Sequence, residues 1–375
     1  MNAQVRTMGF PGRYIQGPGA IALLPQLLLE LGSRRATLLA DATVRAALGA
    51  LIDAALDAAL TASSHAAPIA SSWLDFPGEC SVANIAALAE QAAACDTVIA
   101  LGGGKTIDTG KGIARRLGAR LVIVPTIASN DSATSRLIVL YDDAHRVAGV
   151  ELLARNPDVV LVDTAVIAQA PARFFAAGIG DALSKKFEAR QCHLAGGHNF
   201  YGTPSLPTAR LLADRCYEVI LEFGAAALQQ VAQQRCPNEA VERTIEATVL
   251  LSGVGFESGG LSLAHALVRG FAAHPVLGRF LHGEVVAFGT LVQLVAEGRS
   301  KSEAAEFAAF AQRLGLPTSF DWFGIEQMSG PELDEIARIS CTAPYSANLH
   351  PPIDMGGVRR ALELAHSIGG NVTGR

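Results

Sequence analysis

The sequence has few cysteines, and none of them stand close together. Its six cysteines include no CxxC pair. Disulfide frameworks and cysteine-based zinc sites need clustered cysteines, so neither is expected here. The sparse, scattered thiols favour a protein of a reducing compartment, and we expect a cytoplasmic location.

Long basic runs and long apolar runs are also missing. The net charge is −5 and the sequence pI is about 6.0. Nucleic-acid-binding proteins usually present a basic face, so we expect no nucleic-acid partner. No apolar stretch approaches the ~18 residues of a membrane span, and the N-terminal residues contain no apolar signal core. We therefore expect no membrane partner.

Alternation of short apolar runs with helical patterns dominates the first 165 residues. Predicted strands are ATLLAD, DTVIAL, RLVIVPT, RLIVLYD and DVVLVD. This alternation predicts an α/β fold with a parallel sheet and helices on both faces, with ligands at the carboxyl ends of the strands. Beyond that point the apolar spacing is helical and no convincing strand follows. We predict an α/β domain over residues 1–165 and an all-helical domain over residues 166–375.

A glycine-rich turn stands inside VIALGGGKTIDTGKG, residues Val98–Gly112. A Walker A loop needs a glycine at position 99, where Ile99 stands, and a GxGxxG fingerprint needs one at Ile107. Both motifs therefore fail on spacing. A strand, three glycines and a helix start still allow backbone N–H groups to approach an anion. A tight turn without a ligand remains the alternative.

Two neighbouring features are compatible with a nucleotide at this turn. Asp41 ends an early predicted strand, where an acid accepts hydrogen bonds from a ribose or caps the next helix. The segment PTIASNDSATSRLIVLY, Pro125–Tyr141, is rich in hydroxyl groups and contains Asp131. It either lines a polar ligand or forms a turn.

Three residues of the helical half have side chains typical of metal ligands. Asp181 follows two glycines at a predicted helix start, His265 lies in an apolar helix, and His282 begins the next helix. One carboxylate and two imidazoles suit Zn²⁺ or Fe²⁺ with open positions for a substrate. Their spacing matches no local metal motif. A helix cap at Asp181 and a core role for His265 are the alternatives.

Together these segments resemble the glycerol dehydrogenase branch of the iron-type (group III) alcohol dehydrogenases. The resemblance covers nearly the whole chain, and its strongest blocks are GGGKTIDTGK, PTIASNDSATS, AGIGDALSKKFEAR, LSGVGFESGGL and HGEVVAFGTL. It implies a dehydroquinate synthase-like fold, in which a dinucleotide-binding domain and a helical domain enclose the active site. It also implies a homo-oligomer, often an octamer.

The resemblance assigns expected roles to particular residues. It implies NAD⁺, bound by Asp41, Gly102, Gly103, Gly104, Lys105, Thr106, Thr126, Ser129, Ser135, Leu137 and Tyr141. It implies a metal on Asp181, His265 and His282, usually zinc, with Fe²⁺ as the alternative. Substrate contacts would be Asp131, Phe256, His265 and His282, and the catalytic group would be Asp131 with the three metal ligands.

The implied chemistry is the oxidation of a small polyol, with glycerol to dihydroxyacetone as the default reaction. The metal would favour the alkoxide form of the substrate hydroxyl, and a hydride would pass to the nicotinamide. No side chain is an obvious general base.

Two arginines depart from the pattern of this branch. Arg136 and Arg269 stand near the expected pocket, where each either binds an anionic group of the substrate or points to solvent or a subunit contact. The alternatives are therefore a dehydrogenase for a 2-hydroxy acid or glycerol 1-phosphate, and a dehydroquinate synthase-like lyase. A non-catalytic dinucleotide sensor is disfavoured because all three ligand positions are filled.

Overall fold

A computed structural model describes residues 5–62, 69–143 and 145–372. Eight strands lie in the first half of the described chain: β1 (Tyr14–Gly17), β2 (Arg35–Ala40), β3 (Ala70–Asp75), β4 (Thr97–Gly102), β5 (Arg120–Pro125), β6 (Leu137–Tyr141), β7 (Val147–Leu152) and β8 (Val159–Asp163). Four helices alternate with them: α1 (Leu24–Glu30), α2 (Ala42–Ala62), α3 (Val82–Gln91) and α4 (Gly104–Leu117).

Helices make up the rest of the fold. They are α5 (Thr164–Gln169), α6 (Ala172–Ala182), α7 (Lys185–Leu194), α8 (Pro207–Gln234), α9 (Glu239–Ile245), α10 (Ser252–Gly259), α11 (Leu263–Ala273), α12 (His282–Ala296), α13 (Lys301–Arg313), α14 (Gly330–Ser340) and α15 (Met355–Val372). A π-helical segment, Glu246–Leu251, joins α9 to α10. Between residues 164 and 372 the structure contains no strand.

Six strands form one parallel sheet in the order β1-β8-β5-β4-β2-β3. Successive side chains of its strands point to opposite faces, as the pleat requires. Ile99 and Leu101 of β4 pack with α1 and α2 in one core, whereas Val98 packs with α3 and α4 in the other. Helices thus cover both faces, which confirms the predicted α/β class and the helical second half.

One strand does not belong to the sheet in which we expected it. β6, predicted from RLIVLYD as part of the parallel alternation, pairs instead with β7 in an antiparallel hairpin. The exposure of both strands alternates along the chain, which is typical of antiparallel strands with one solvated face. β3 was not predicted because its polar segment ASSWLD is a mostly exposed edge strand without an apolar run.

The last strand of the sheet leads directly into the helical region. Asp163 ends β8, and its side chain accepts hydrogen bonds from Ala165 and Val166 at the start of α5. The domain boundary near residue 165 lies at this junction and stays a prediction. No single helix of the described chain is long and apolar enough to cross a membrane. One bent pair of helices, residues 239–259 with 263–273, has the length and composition of a broken membrane span, and this is all that favours one.

Candidate active site

The glycine turn lies at the carboxyl edge of the sheet, between two other predicted cofactor residues. β4 is hydrogen-bonded to β2 on one side and to β5 on the other. Asp41 directly follows β2 and Thr126 follows β5, and the Thr126 N–H donates to the Gly102 carbonyl at 3.1 Å. Three strand ends therefore meet where ligands bind in such sheets.

The first turn of α4 offers its backbone to a ligand. Gly103 precedes the helix, and no side chain caps that N-terminus. Gly102 has a φ of 156°, and a Cβ there would lie 2.7 Å from the Thr106 side chain. A Cβ at Gly104 would lie 2.7 Å from Asn130 Nδ2. The packing of this turn therefore requires glycine, and residues 103–105 stay half-buried at a helix N-terminus, the kind of backbone that binds anions.

Other predicted cofactor residues line this turn with roles of their own in the fold. The Asp41 carboxylate caps α2, accepting from the Val44 N–H at 2.9 Å. Lys105 Nζ lies 2.7 Å from Glu79 Oε2 and over the ring of Tyr141, 4.7 Å from its centroid. The turn therefore holds its lysine in an ion pair at the edge of the site.

The loop that carries Asp131 is attached to α4 by a buried lysine. Lys111 Nζ is completely buried and donates to Asp108 at 2.9 Å, and to the carbonyls of Ser132 and Leu137 at 2.7 and 2.6 Å. Ser135 Oγ lies 3.5 Å from the same nitrogen. Two predicted cofactor residues, Ser135 and Leu137, are thus held in place by one cation. Ser129 is half-buried in the same loop.

Asp181, His265 and His282 converge in the helical half. Their ligand atoms all lie within 4.8 Å of one another. His265 Nε2 is 3.3 Å and His282 Nε2 is 3.7 Å from Asp181 Oδ1. Asp181 Oδ2 is buried and has no hydrogen-bond partner among the described residues. An unpartnered carboxylate oxygen beside two imidazoles fits a metal ion, because such an atom otherwise carries an uncompensated desolvation cost.

Close helix packing brings these side chains together. A Cβ at Gly180 would lie 2.4 Å from the Gly283 carbonyl oxygen, and a Cβ at Gly283 would lie 1.7 Å from that of Ala177. α6 and α12 therefore touch backbone to backbone, with Asp181 and His282 next to the contact. Asp181 lies in the last turn of α6, so the predicted helix start and helix cap at this residue are wrong. The short break before α7 is what resembled a helix start.

An ion pair also holds α6 and α12 in register. Arg173, in the first turn of α6, donates to both oxygens of Glu284, at 2.7 and 2.9 Å. Glu284 also accepts from the Leu281 N–H at the start of α12. The planar guanidinium fixes the start of α12 against α6, and with it His282.

Glu188 orients His265. Its carboxylate lies 2.5 Å from His265 Nδ1 and accepts from the backbone N–H groups of Ser262 and His265. This contact leaves Nε2 of His265 facing Asp181. A carboxylate on the far nitrogen of a ligating histidine is the usual support of such a ligand.

Asp131 and Lys185 complete the polar centre. Lys185 Nζ donates to Asp181 Oδ1, lies 3.2 Å from His265 Nε2, and lies 3.3 Å from Asp131 Oδ2. Ser252, the first residue after the π-helical segment, donates to Asp131 Oδ2. Asp131 therefore joins the cluster from the loop after β5, and the centre lies between the two halves of the chain.

The charged groups at this centre shift one another's pKa values. Burial raises the pKa of Asp131, and the Asp181 charge raises it further. Burial alone would raise the pKa of Asp181, but Lys185 and the histidines lower it well below its usual range. Burial disfavours the Lys185 charge, yet Asp131, Asp181 and Glu188 raise its pKa above the ordinary value. The protein thus keeps an ammonium ion among carboxylates.

The two histidines differ in their surroundings. Burial lowers the pKa of His265, but the Glu188 charge and the hydrogen bonds with Asp181 and Glu188 together outweigh it, and the pKa is about 9. The protein around His282 limits hydration of its ring and lowers its pKa to about 4, although 39% of its side chain is exposed. His282 is the member of the cluster that is open to the cleft, and a histidine must be neutral to ligate a metal.

An apolar wall borders this centre. Phe256, predicted to lie against the substrate, is buried, and its ring centroid is 5.6 Å from Lys185 Nζ. Phe200 packs edge-on against it at 5.5 Å. The π-helical segment precedes α10, which carries Phe256, and π-helical turns are frequent at functional sites.

Arg136 is engaged by other side chains of the fold. Its Nε lies 3.1 Å from Glu257 Oε1, and its Nη2 donates to the Phe200 carbonyl at 2.9 Å. The guanidinium also stacks on Tyr201, 3.8 Å from the ring centroid. Only 11% of the side chain is exposed. The residue therefore neither points to solvent nor has a free face for a substrate.

Arg269 lies one helical turn after His265 on α11. With Arg146 and the β6–β7 hairpin it lines a cavity of about 360 Å³. Of the two arginines that depart from the family pattern, this one is the more accessible to a ligand.

The sequence interpretation missed Lys185 and Glu188. They follow Asp181 by four and seven residues in DALSKKFE, across the short break between α6 and α7. An acid, a base and an acid at this spacing are the signal that the sequence offers, since a continuous helix would carry all three on one face. The adjacent Lys185 and Lys186 hide this signal because they look like an exposed charged pair.

Comparison with known proteins agrees with this geometry. Residues 11–164 match the family model for iron-containing alcohol dehydrogenase. The chain is 37% identical to glycerol dehydrogenase of Thermotoga maritima over 369 residues, covering 97% of this chain and 98% of that protein. It is 39% identical to glycerol dehydrogenase of Escherichia coli, covering 90% and 89%.

A solved structure extends the likeness to three dimensions. A probable glycerol dehydrogenase from Sinorhizobium meliloti superposes with a TM-score of 0.90 at 35% identity, covering 98% of this chain and 100% of that one.

Proposed function

This chain belongs to the iron-containing alcohol dehydrogenase family, and on that premise we propose that it oxidises a small polyol with NAD⁺. Glycerol to dihydroxyacetone is the expected reaction, because similar proteins at 36–39% identity are named glycerol dehydrogenases. The observation that carries the proposal is the cluster of Asp181, His265 and His282 beside Asp131. The cluster provides metal donors and a hydrogen-bond acceptor in one centre.

The carboxyl edge of the sheet is the proposed site of NAD⁺. The uncapped N-terminus of α4 would hold its phosphates through the backbone of Gly103, Gly104 and Lys105. Asp41 would accept from a ribose hydroxyl in addition to capping α2, and Thr126 borders the same edge. Lys105, already paired with Glu79, contributes charge near the phosphates rather than phosphoryl-transfer chemistry.

Asp181, His265 and His282 are the proposed metal ligands. One carboxylate and two imidazoles suit zinc, with Fe²⁺ as the alternative. When bound, the metal supplies Lewis acidity toward the substrate hydroxyl, and NAD⁺ supplies the hydride acceptor. The protein's own part is to hold the donors rigidly, through Glu188 on His265 and the close contact of α6 with α12.

The remaining side chains of the centre bind and orient the substrate. Asp131, fixed by Ser252, has a carboxylate that accepts a hydrogen bond from a hydroxyl of the polyol. Phe256 excludes water on one side, which strengthens the electrostatic interactions inside. No further general base adjoins this centre among the described residues. The substrate proton would therefore pass through water to solvent on the open side of the cleft, where His282 is partly exposed.

A dehydrogenase acting on an anionic substrate is the second candidate. Arg136 is engaged by Glu257, so in this candidate Arg269 and its cavity would have to receive the carboxylate or phosphate. A lyase of the dehydroquinate synthase type is less favoured, because similar proteins that match 97% of this chain are named glycerol dehydrogenases.

A substrate panel with an NADH absorbance readout tests the proposal. We expect NADH from glycerol and NAD⁺, loss of activity after chelation, and recovery with Zn²⁺. Turnover of a 2-hydroxy acid or glycerol 1-phosphate, but of no neutral polyol, would favour the second candidate. Phosphate release without net NADH would indicate the lyase.

Metal content tests the ligands directly. We expect His265→Ala and His282→Ala to lose bound zinc, measured by elemental analysis after dialysis. Unchanged zinc in both variants would refute the ligand assignment.

A further inference from the structure

Lys185 is a fully buried cation in contact with the proposed metal donors. None of its side chain is exposed. Its ammonium donates to Asp181 Oδ1 and lies 3.2 Å from His265 Nε2, so it contacts two of the three donor residues. A lysine is rarely buried so completely unless it is paired.

Three carboxylates surround this ammonium. Asp131 Oδ2 is 3.3 Å away, Asp181 is in direct contact, and Glu188 adds its charge from behind His265. The three carboxylates therefore outnumber the one lysine ammonium at this centre. Among the described residues, no other lysine or arginine is in ion-pair contact with Asp131, Asp181 or Glu188.

The position of Lys185 follows from the short break between two helices. Asp181 lies in the last turn of α6 and Lys185 is the first residue of α7, and their side chains meet in the donor cluster. Its contacts with Asp181 and His265 place a positive charge directly beside two of the three donors.

We propose that Lys185 is a built-in cation of the donor set, which weakens divalent-metal binding and makes the metal readily exchangeable. The inference rests on the metal site of the proposed function. Its cause is electrostatic: a fixed positive charge at contact distance from the ligands repels a divalent ion, and the low polarity of a buried site strengthens that repulsion. The same charge offsets part of the negative charge of Asp181 and Asp131, which stabilises the cluster in the absence of metal.

Two other roles predict different results. A neutral Lys185 amine acting as a fourth ligand would tighten metal binding, so removing it would weaken the affinity. A purely structural ion pair would affect folding but leave the affinity of the folded protein unchanged.

Zinc affinity of Lys185→Met, measured by competition with a chromogenic chelator, separates these roles. We expect binding at least ~10-fold tighter than in the wild type, since a divalent ion near a unit charge gains at least this much when the charge is removed. Lys185→Arg keeps the charge and should stay within about threefold of the wild type. Lys186→Met is the matched control, because the neighbouring lysine lies over the Tyr217 ring, 5.0 Å from its centroid.

Lys185→Gln is the second variant to measure in case Lys185→Met does not fold, because it removes the charge but keeps hydrogen-bond donors for Asp181. Thermal unfolding of each metal-free variant accompanies the titration. Unchanged or weaker zinc binding in folded Lys185→Met and Lys185→Gln would overturn the inference. Partial zinc occupancy in the wild type, with one zinc per chain in Lys185→Met under the same conditions, would support it. Absence of zinc from both would refute the proposed metal site together with the inference, whereas tight zinc in both would refute the inference alone.

Discussion

Arg136→Met removes the charge partner of a buried carboxylate. Glu257 is only 1% exposed and lies 3.1 Å from the Arg136 guanidinium. Its other contacts, the Arg136 backbone N–H and Asn156 Nδ2, remain in the variant. They do not supply a positive charge, so a carboxylate stays buried without its counter-ion.

The structure sets the size of the expected loss. Both side chains are nearly inaccessible, so solvent screening reduces the interaction little. Breaking one partner of such a buried pair costs about 3–5 kcal/mol. Stacking on Tyr201 and the hydrogen bond to the Phe200 carbonyl are lost as well, so we expect the upper half of that range. The total stability of a domain is about 5–15 kcal/mol, and the variant should be markedly less stable.

Urea unfolding followed by circular dichroism, at one fixed protein concentration, measures this loss. Arg155→Met is the matched control: Arg155 is 70% exposed and pairs with Asp158, so its replacement should cost less than about 1 kcal/mol. The double variant Arg136→Met with Glu257→Gln should recover part of the loss, because no charge then stays buried alone.

Steady-state kinetics of Arg136→Met test the alternative, in which Arg136 binds an anionic group of the substrate. With the guanidinium engaged by Glu257, the ratio of kcat/KM for glycerol to that for a 2-hydroxy acid should change by less than about threefold. A destabilisation below about 1 kcal/mol together with a selective loss of hydroxy-acid turnover would refute the reasoning and identify Arg136 as a substrate ligand.

Three further changes are expected to separate the parts of the site. Glu188→Gln should lower zinc affinity by about 10–100-fold, because it weakens the partner that orients a ligating histidine; chelator competition measures this. Gly180→Ala should reduce both zinc content and the midpoint of thermal unfolding, since its methyl group would lie 2.4 Å from the Gly283 carbonyl oxygen and push two helices apart. Gly104→Val should weaken NADH binding, measured by fluorescence titration, while leaving zinc content unchanged, because its side chain would meet Asn130 at the N-terminus of α4.

Each of these three variants has its own control or contrary outcome. Gly49→Ala suits the second change, because a Cβ there meets only Arg45 Cγ at 3.6 Å and should be tolerated. Full zinc content in Gly180→Ala would contradict the close-packing argument. Equal zinc affinity in Glu188→Gln would mean that the histidine is oriented by other contacts, and unchanged NADH binding in Gly104→Val would place the dinucleotide elsewhere.

Local patterns explain why much of the fold was predictable. Buried parallel strands such as β4 and β5 are short, continuous apolar runs, and the helices between them carry their own periodicity. β6 has an equally apolar sequence, so its departure into a hairpin with β7 could not be recognised locally. The choice between the two pairings depends on which strand lies opposite, which is a long-range contact.

Residue types and order in the chain indicated the nucleotide turn and the three candidate metal ligands. Asp181, His265 and His282 have the side chains that metals prefer, and the blocks around them resemble one family. That they bind a metal stays a prediction, although the structure brings their ligand atoms within 4.8 Å. Sequence order does not measure distance, and the 84 residues between Asp181 and His265 carried no information about contact.

The sequence by itself determined the class of fold, the glycine turn and the set of chemical groups. Periodicity, glycine and ligand chemistry are properties of single residues and their near neighbours. Only the tertiary structure decided which charges face each other. It paired Arg136 with Glu257, aimed Glu188 at His265, and buried Lys185 among three carboxylates. Those outcomes depend on desolvation and partner distance, which exist only after helices from distant parts of the chain have packed.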